Sequence, residues 1–140
     1  MKAQTKSLVT AKMSTTIPDA MRLMIENRIS CLLITEGEGR LKGIISDKDI
    51  FKACRDYCHE FANKTIADLA TTDVIVGVDN DDLNYIAHLM TQNRIRHIPI
   101  VDGEQLVGLV SIGDVVKAQM DDIRVENRYL KQYIDGTYPG

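Results

Sequence analysis

Two stretches of this chain are copies of each other, and an internal repeat limits the possible folds more than any single residue does. The pairs Leu-Met at 23–24 and Asn-Arg-Ile at 27–29 recur at 89–90 and 93–95, an offset of 66 residues. Farther along, the offset is 65 residues, and it pairs Leu41 with Leu106, Gly43 with Gly108, Ser46 with Ser111, and Asp49 with Asp114. The offset changes within a predicted turn, where insertions and deletions are tolerated. The sequence therefore predicts two copies of one structural unit.

Each copy is predicted to contain two apolar strands joined by a turn and followed by a helix. In the second copy, strands at 98–101 and 106–110 flank Asp102-Gly103, a dipeptide typical of hairpin turns, and a helix opens at 111–114. In the first copy, strands at 31–34 and 41–45 flank a turn at 36–39, and a helix runs from Asp49 to about Phe61. The predicted apolar side of that helix comprises Ile50, Phe51, Cys54, Tyr57 and Cys58.

A short strand and an amphipathic helix are predicted ahead of each hairpin. The strands lie at 7–10 and 74–78, with a connecting helix at 65–69. Thr16 is the expected N-cap of the first helix, and His88 is expected on the solvent side of the second. The apolar side of the first helix comprises Ala20, Met21, Met24 and Ile25, and that of the second comprises Leu83, Ile86, Ala87 and Met90. The acidic run at 79–82 is interpreted as helix capping, because the later Gly and Glu positions of a calcium-binding EF-hand are absent.

The length favours one folded body over two independent domains. With 140 residues, of which 44% are hydrophobic, the chain can bury a substantial core. Each half alone would be marginally stable, so the two repeats are expected to fold as one unit.

Charge and hydropathy narrow the possible partners. The net charge is -3 and the sequence pI is about 5.6, so no global field attracts nucleic acid. No run of 18 apolar residues and no signal-peptide pattern at the N-terminus is present, so we expect a cytoplasmic protein that does not enter a membrane.

Three cysteines, an odd number, fit reduced thiols better than a disulfide framework. Cys54 and Cys58 share a helix face, next to His59, and therefore form a candidate metal site. Zinc normally requires four ligands, so the interpretation preferred here is ordinary packing, with no metal.

Polar residues flank the second hairpin in a pattern that fits an anionic ligand carrying a diol. Arg94, Arg96 and His97 precede the first strand, and Ser111 and Asp114 follow the second. Free N–H groups at a helix N-terminus suit a phosphate, and a carboxylate can accept hydrogen bonds from a ribose. The simpler alternative is that Asp114 caps its helix and the arginines are solvated.

These motifs together resemble tandem CBS domains, the pair often called a Bateman module. The resemblance rests on Asn-Arg-Ile before a short apolar strand, on the ending Leu-x-Gly-h-h-Ser-x-x-Asp (h, apolar), and on the repetition itself, over about 7–120. It implies an α/β (α+β) fold of two repeats, each a small β-sheet packed with helices, related by a pseudo-twofold axis and followed by a C-terminal helix. The implied boundaries are 7–62 for the first CBS domain, 63–120 for the second, and 121–140 for the C-terminal helix and tail.

The resemblance also implies clefts that bind an adenosyl ligand such as AMP, ADP, ATP, NAD or S-adenosylmethionine, with no further cofactor required. In the second repeat it assigns the ribose to Asp114 and Ser111, the phosphate to Arg96 and His97, and the base to Ile98 and Pro99. His97 adds positive charge only when protonated, near its reference pKa of about 6.5.

In the first repeat the resemblance assigns Ser46 and Asp49 to the ligand, but Ser30 and Cys31 replace the two basic residues. Lys48 is a partial substitute or a solvated lysine. We therefore expect one strong cleft and one weak or empty cleft, with Asp114→Ala abolishing binding and Asp49→Ala sparing most of it.

The C-terminal residues Val116, Met120, Ile123, Asn127, Leu130 and Ile134 follow a heptad spacing. This pattern predicts either a short coiled coil that forms a homodimer, with Asn127 fixing the register, or a helix that packs on its own domain.

The expected function is a regulatory binding module that signals the state of an adenosyl ligand to an unknown regulated protein. The alternative is a constitutive dimeric interaction protein, or scaffold, with vestigial clefts. We do not expect an enzyme and assign no catalytic residue, since the common catalytic motifs are absent from the sequence and its three histidines lie in separate elements.

Overall fold

The computed structural model describes residues 8–134, with side chains as far as Arg124. Two 3-10 turns, at Cys58–Asn63 and Ile66–Asp68, connect the two halves of this mixed α/β fold. The strands and helices in chain order are β1 (Thr10–Ala11), α1 (Ile17–Glu26), β2 (Cys31–Glu36), β3 (Arg40–Ser46), α2 (Asp47–Tyr57), α3 (Leu83–Asn93), β4 (His97–Asp102), β5 (Gln105–Ser111) and α4 (Ile112–Ile134).

The strands form a sheet in the order β1-β2-β3-β5-β4. Within each repeat the two long strands pair antiparallel as a hairpin, and β1 pairs parallel with β2. The hairpins meet only near their turns, where Arg40 pairs with Gln105. The sheet is therefore two small sheets joined by a narrow contact.

The backbone confirms the repeat predicted from the sequence. Arg28, which follows the C-cap of α1, and Arg94, which is the C-cap of α3, both have a positive φ, of 53° and 54°. The hairpins are irregular at equivalent places, after Ile34 and after Ile100. Gly77 pairs parallel with Ile100 just as Ala11 pairs with Ile34, 66 residues earlier.

The segment between the repeats, residues 64–77, contacts both of them and is called the linking segment below. The N–H of Ile17 donates to the carbonyl of Lys64, at 3.0 Å, and Thr71 exchanges backbone hydrogen bonds of 3.0 Å with Ile44. Farther along, Gly77 bonds to the backbone of β4. The linking segment thus extends the sheets of both repeats.

Each repeat has its own apolar core between its helices and its sheet. The first core comprises Ala11, Ile17, Ala20, Met24, Leu32, Ile34, Ile45, Ile50, Ala53 and Ile66. The second core comprises Ile86, Met90, Ile98, Ile100, Val110 and Val115. The equivalent positions Met24 and Met90 are both buried, as predicted, whereas Ile25, which was predicted on the apolar side of α1, is 72% exposed.

Several local predictions are confirmed. The Thr16 hydroxyl caps α1 by accepting from the N–H of Asp19, at 3.3 Å, and His88 is exposed. Asp82 caps α3, and the Asp81 carboxylate accepts from the N–H of Val78, at 2.8 Å, so this acidic run serves as capping.

Other local predictions are wrong. The first strand is Thr10–Ala11 and not 7–10. Residues 74–78 form no strand beyond the single bridge at Gly77, because Val78 already belongs to a turn in which its carbonyl accepts from the N–H of Asp81, at 3.0 Å. The buried side of α2 consists of Ile50 and Ala53, whereas Phe51 is 75% exposed and Cys54 and Cys58 are exposed. The helix begins at Asp47, two residues earlier than expected, and continues as a 3-10 turn after Tyr57.

The C-terminal helix α4 is continuous, so the predicted domain border between 120 and 121 lies within one helix. No helix among residues 8–134 is long and apolar enough to cross a membrane.

Candidate ligand-binding cleft

A cavity of about 280 Å³ lies where the two repeats and the linking segment meet. The first repeat lines it with Cys31, Ile44, Ile45, Ser46, Lys48 and Asp49. The linking segment adds Thr71, Asp73, Val74 and Ile75, and the second repeat adds Arg94, Ile95, Arg96 and His97.

Ser46 and Asp49 lie at the junction of β3 and α2, where they form a capping box. The Asp49 carboxylate atom Oδ2 accepts from the N–H and the hydroxyl of Ser46, at 2.9 Å and 3.1 Å. Its other oxygen, Oδ1, accepts no hydrogen bond from any residue that the structure describes. Both residues are half-buried, so Asp49 presents a fixed acceptor to the cavity.

The left-handed residue Arg94 ends α3 and turns the chain into β4. The N–H of Ile95 then bonds to the carbonyl of Met90, at 3.1 Å, and the N–H of Ile112 bonds to the carbonyl of Arg96, at 2.8 Å. The Arg96 side chain reaches across to the first repeat, where its Nη2 lies 3.2 Å from Oδ1 of Asp47. Arg96 is thus part of the second repeat in sequence, but its side chain contacts the first repeat at the junction between them.

His97 begins β4 and lies opposite Ser111 in the sheet. Burial lowers its pKa below the ordinary 6.5, and the positive charge of Arg96 lowers it further, while Asp47 and Asp114 act in the opposite direction. The imidazole is therefore neutral at pH 7, and it can offer the cavity one hydrogen-bond donor and one acceptor but no charge.

Cys31 occupies the position in the first repeat that His97 occupies in the second. Burial raises the pKa of its thiol to about 12, and the carboxylates of Asp47 and Asp49 add to the shift. The group stays a neutral thiol, which lines the cavity as a small, weakly polar surface.

The structure combines four of the residues predicted from the sequence in one cavity: Ser46, Asp49, Arg96 and His97. The other four lie outside its lining. Ile98 and Pro99 are buried in β4, and Ser111 and Asp114 cap α4, with the N–H of Ser111 bonding to Asp114 at 2.9 Å. The basic residues of the second repeat thus lie beside the carboxylate of the first, and not beside Asp114 as predicted.

The lining residues that the sequence analysis missed come from the linking segment. Asp73, Val74 and Ile75 enter the cavity because Thr71 is bonded to Ile44 on the edge of β3. The repeat offset could have indicated these residues, because it pairs Gly77 with Ala11, and residues 73–75 lie just ahead of Gly77.

The repeat offsets predict an equivalent second cleft around Ser111 and Asp114. The other equivalent positions in the sequence are 28–31 and 5–9, of which residues 5–7 lie outside the described range. In this cleft Gly113 replaces Lys48 and Ser30 replaces Arg96. Two basic side chains of the first cleft therefore have no counterpart in the second.

The sequence pattern of the CBS domain family matches residues 3–56 and 66–121. Among individual relatives, the mitochondrial CBS domain-containing protein CBSX3 of Arabidopsis thaliana is 32% identical over 88% of this chain. The CBS domain-containing protein YhcV of Bacillus subtilis is 33% identical over 84% of this chain. The alignments span 62% of the Arabidopsis protein and 83% of the Bacillus protein.

Solved structures share the fold. The CBS domain pair of protein MJ0100, in complex with 5'-methylthioadenosine and S-adenosyl-L-methionine, matches with a TM-score of 0.76 and 29% identity, covering 84% of this chain and 91% of that one. CBSX2 of Arabidopsis thaliana, in complex with AMP, matches with a TM-score of 0.75 and 27% identity, covering 86% of this chain and 92% of that one. Together with the two matched segments, these similarities show that the chain belongs to the CBS domain family and contains a tandem pair of CBS domains.

Proposed function

We propose that this protein is a regulatory module that binds an adenosyl ligand in the cleft between its repeats and signals the bound state to a partner protein. The observation that carries the proposal is the cavity in which a half-buried carboxylate, Asp49, lies with Arg96 and His97. The complexes of two structural relatives with AMP and with S-adenosylmethionine support the same ligand class.

The lining divides into groups suited to the parts of a nucleotide. Asp49 accepts hydrogen bonds from the ribose hydroxyls through Oδ1, and Ser46 holds the carboxylate in place. Arg96, Arg94 and Lys48 bind the phosphate through charge-assisted hydrogen bonds. The apolar side chains of Val74, Ile75 and Ile95 contact the base. Neutral His97 adds one directional hydrogen bond.

The remaining residues predicted from the sequence have supporting roles in this proposal. Ile98 and Pro99 are buried in β4 and hold Arg96 and His97 in position. Ser111 and Asp114 form a second, weaker ligand position, because Lys48 and Arg96 of the first cleft have no basic counterpart there.

Thermal unfolding against AMP, ADP, ATP, NAD and S-adenosylmethionine tests this function. A ligand that binds only the native state stabilises it by RT ln(1 + [L]/Kd), about 2.7 kcal/mol at a hundredfold excess over Kd. We expect a selective rise in Tm that Asp49→Ala removes and that Asp56→Ala, on the exposed surface of α2, retains. An unchanged Tm with all five ligands would favour the alternative, an interaction protein with vestigial clefts.

We also propose that the protein is a homodimer formed through α4. The described part of its heptad pattern is exposed: Val116 by 45%, Met120 by 47% and Ile123 by 53%. The later positions Asn127, Leu130 and Ile134 lie outside the described side chains. Exposed apolar side chains at this spacing suit a matching helix of a second copy. Truncation after Met120 should yield a monomer by light scattering, and an unchanged dimer would contradict a dimer interface on α4.

A further inference from the structure

The ion pair between Arg96 and Asp47 lies at the border of the proposed ligand cleft. It joins residues 49 positions apart, one from each repeat, with 3.2 Å between Nη2 and Oδ1. Arg96 lines the cavity, whereas Asp47 stands just outside it, between the lining residues Ser46 and Lys48. The arginine best suited to bind a phosphate therefore already has an anionic neighbour.

This pair has no counterpart at the second cleft. The positions equivalent to Arg96 and Asp47 are Ser30 and Ile112, so neither charge is repeated there. The backbone at both places is the same, because the N–H of Asp47 bonds to the carbonyl of Ser30 at 2.9 Å and that of Ile112 to Arg96 at 2.8 Å. The two repeats therefore share this backbone geometry, but only one of them carries the two charges, which alter the electrostatics of one cleft only.

The lining of the cleft carries three cationic side chains, Lys48, Arg94 and Arg96, and two carboxylates, Asp49 and Asp73. Asp47, ion-paired to Arg96, makes the numbers of positive and negative side chains equal. When the charges around a cleft sum to zero, each additional phosphate on a ligand adds little to the binding affinity, because its negative charge is attracted by the cationic side chains and repelled by the carboxylates.

We propose that Asp47 limits the negative charge of the ligand that this cleft accepts, by competing with ligand phosphate for Arg96. This inference rests on the proposed adenosyl-ligand function. It assigns the cleft to adenosyl ligands of low charge, a nucleoside monophosphate or a nucleoside, over a nucleoside triphosphate. Asp47 is then a specificity-determining residue that does not itself hold the ligand.

Calorimetric titration of the full chain with adenosine, AMP, ADP and ATP, without divalent metal, tests the assignment. The side chains of the pair are 59% and 45% exposed, so their interaction is worth at most about 1 kcal/mol, which corresponds to roughly a fivefold change in affinity. Asp47→Asn should tighten AMP binding by about twofold, tighten ATP binding more, up to about fivefold, and leave adenosine binding unchanged. The gain should shrink as salt is raised, because exposed charges are screened.

Two further variants isolate the mechanism. In an Arg96→Gln background, Asp47→Asn should no longer change AMP affinity by more than the matched control Asp56→Asn, which removes the same charge from an exposed position on α2. Asp47→Ser repeats the test with a side chain that still suits a helix start.

The outcomes distinguish failure of the role assigned to Asp47 from failure of the proposed function. Weaker AMP binding by Asp47→Asn would show that Asp47 positions Arg96, which overturns the inference and leaves the proposed function intact. An equal gain for adenosine would also overturn it, because the effect would not depend on ligand charge. Failure of the wild-type protein to bind any of the four compounds would overturn the inference, and an unchanged Tm with NAD and S-adenosylmethionine as well would contradict the proposed function.

Discussion

The two repeats share a backbone and differ in what their side chains offer to a ligand. In the first repeat Asp49 is half-buried and shares a cavity with Arg96 of the second, whereas the equivalent Asp114 is exposed. Both carboxylates cap a helix in the same way, since each accepts a hydrogen bond of 2.9 Å from the N–H of the serine three residues earlier. The proposed ligand site therefore lies at the junction between the repeats and not within either repeat alone.

The cores differ in a second, compensating way. Ala11 and Ala20 of the first repeat correspond to Gly77 and Ile86 of the second. A Cβ placed at Gly77 would lie 2.8 Å from Cδ1 of Ile86 and 3.0 Å from Cδ1 of Ile100. The larger Ile86 thus occupies space that the absent side chain at residue 77 leaves free.

The largest predicted effect concerns whether the halves unfold together. Ile34→Ala and Ile100→Ala remove equivalent, fully buried side chains, so each should lower the free energy of unfolding by about 2–5 kcal/mol. Because the linking segment is bonded to both sheets, each variant should unfold in one transition, measured by urea titration with circular dichroism and by calorimetry. Two separate transitions, only one of them shifted, would show that the repeats are independent.

A smaller effect should follow from filling the space at Gly77. Gly77→Ala should lower the free energy of unfolding by about 1–2 kcal/mol through overpacking against Ile86. Combining it with Ile86→Val should cost less than the sum of the single changes in a double-mutant cycle, because the shorter side chain makes room. Additive losses would show that the two residues do not compensate each other.

The two left-handed arginines provide a matched pair of substitutions. Arg28→Gly and Arg94→Gly should each raise the free energy of unfolding by up to about 1 kcal/mol, because glycine adopts positive φ without steric cost. Arg94 lines the cleft with Asp49, so only Arg94→Gly should also weaken AMP binding in calorimetric titration. Equal loss of AMP binding in both variants would contradict the assignment of one strong cleft.

The smallest expected effect is the pH dependence contributed by His97. Its pKa is lowered by burial and by Arg96, so the unfolded chain takes up a proton more readily than the folded one. Stability should therefore fall as the pH drops from about 6.5 towards the lowered pKa, and this contribution should level off below that value.

Urea titrations across this range should show that His97→Asn reduces the acid-induced loss. The exposed His88 serves as control, since His88→Asn should leave the profile unchanged. Identical profiles for His97→Asn and wild type would contradict a half-buried, neutral imidazole.

The backbone frame was predictable from the sequence because helix caps, hairpin turns and apolar spacing are local signals. Thr16, the hairpins and the buried Met24 and Met90 all follow from such patterns. The exposure of Phe51 was not predictable, because a helix with apolar residues on two sides does not reveal which side meets the sheet.

The candidate site was predictable in composition but not in grouping. Ser46, Asp49, Arg96 and His97 were each identified as candidates, yet sequence order placed Arg96 with its near neighbour Asp114. Its proximity to Asp47 depends on how the two repeats are joined, and the linking segment that joins them carries no strong periodic pattern. Contacts between residues 49 positions apart are tertiary facts that local signals do not encode.

The most direct test of the central claim is calorimetric titration of AMP into Asp49→Ala and Asp114→Ala. Both substitutions remove an equivalent capping carboxylate, so their general effects on helix stability are matched. We expect Asp49→Ala to lose strong AMP binding and Asp114→Ala to retain it, with an affinity close to that of wild type. Loss of strong binding in Asp114→Ala together with its retention in Asp49→Ala would contradict the assignment of the ligand to the cleft of Asp49 and Arg96.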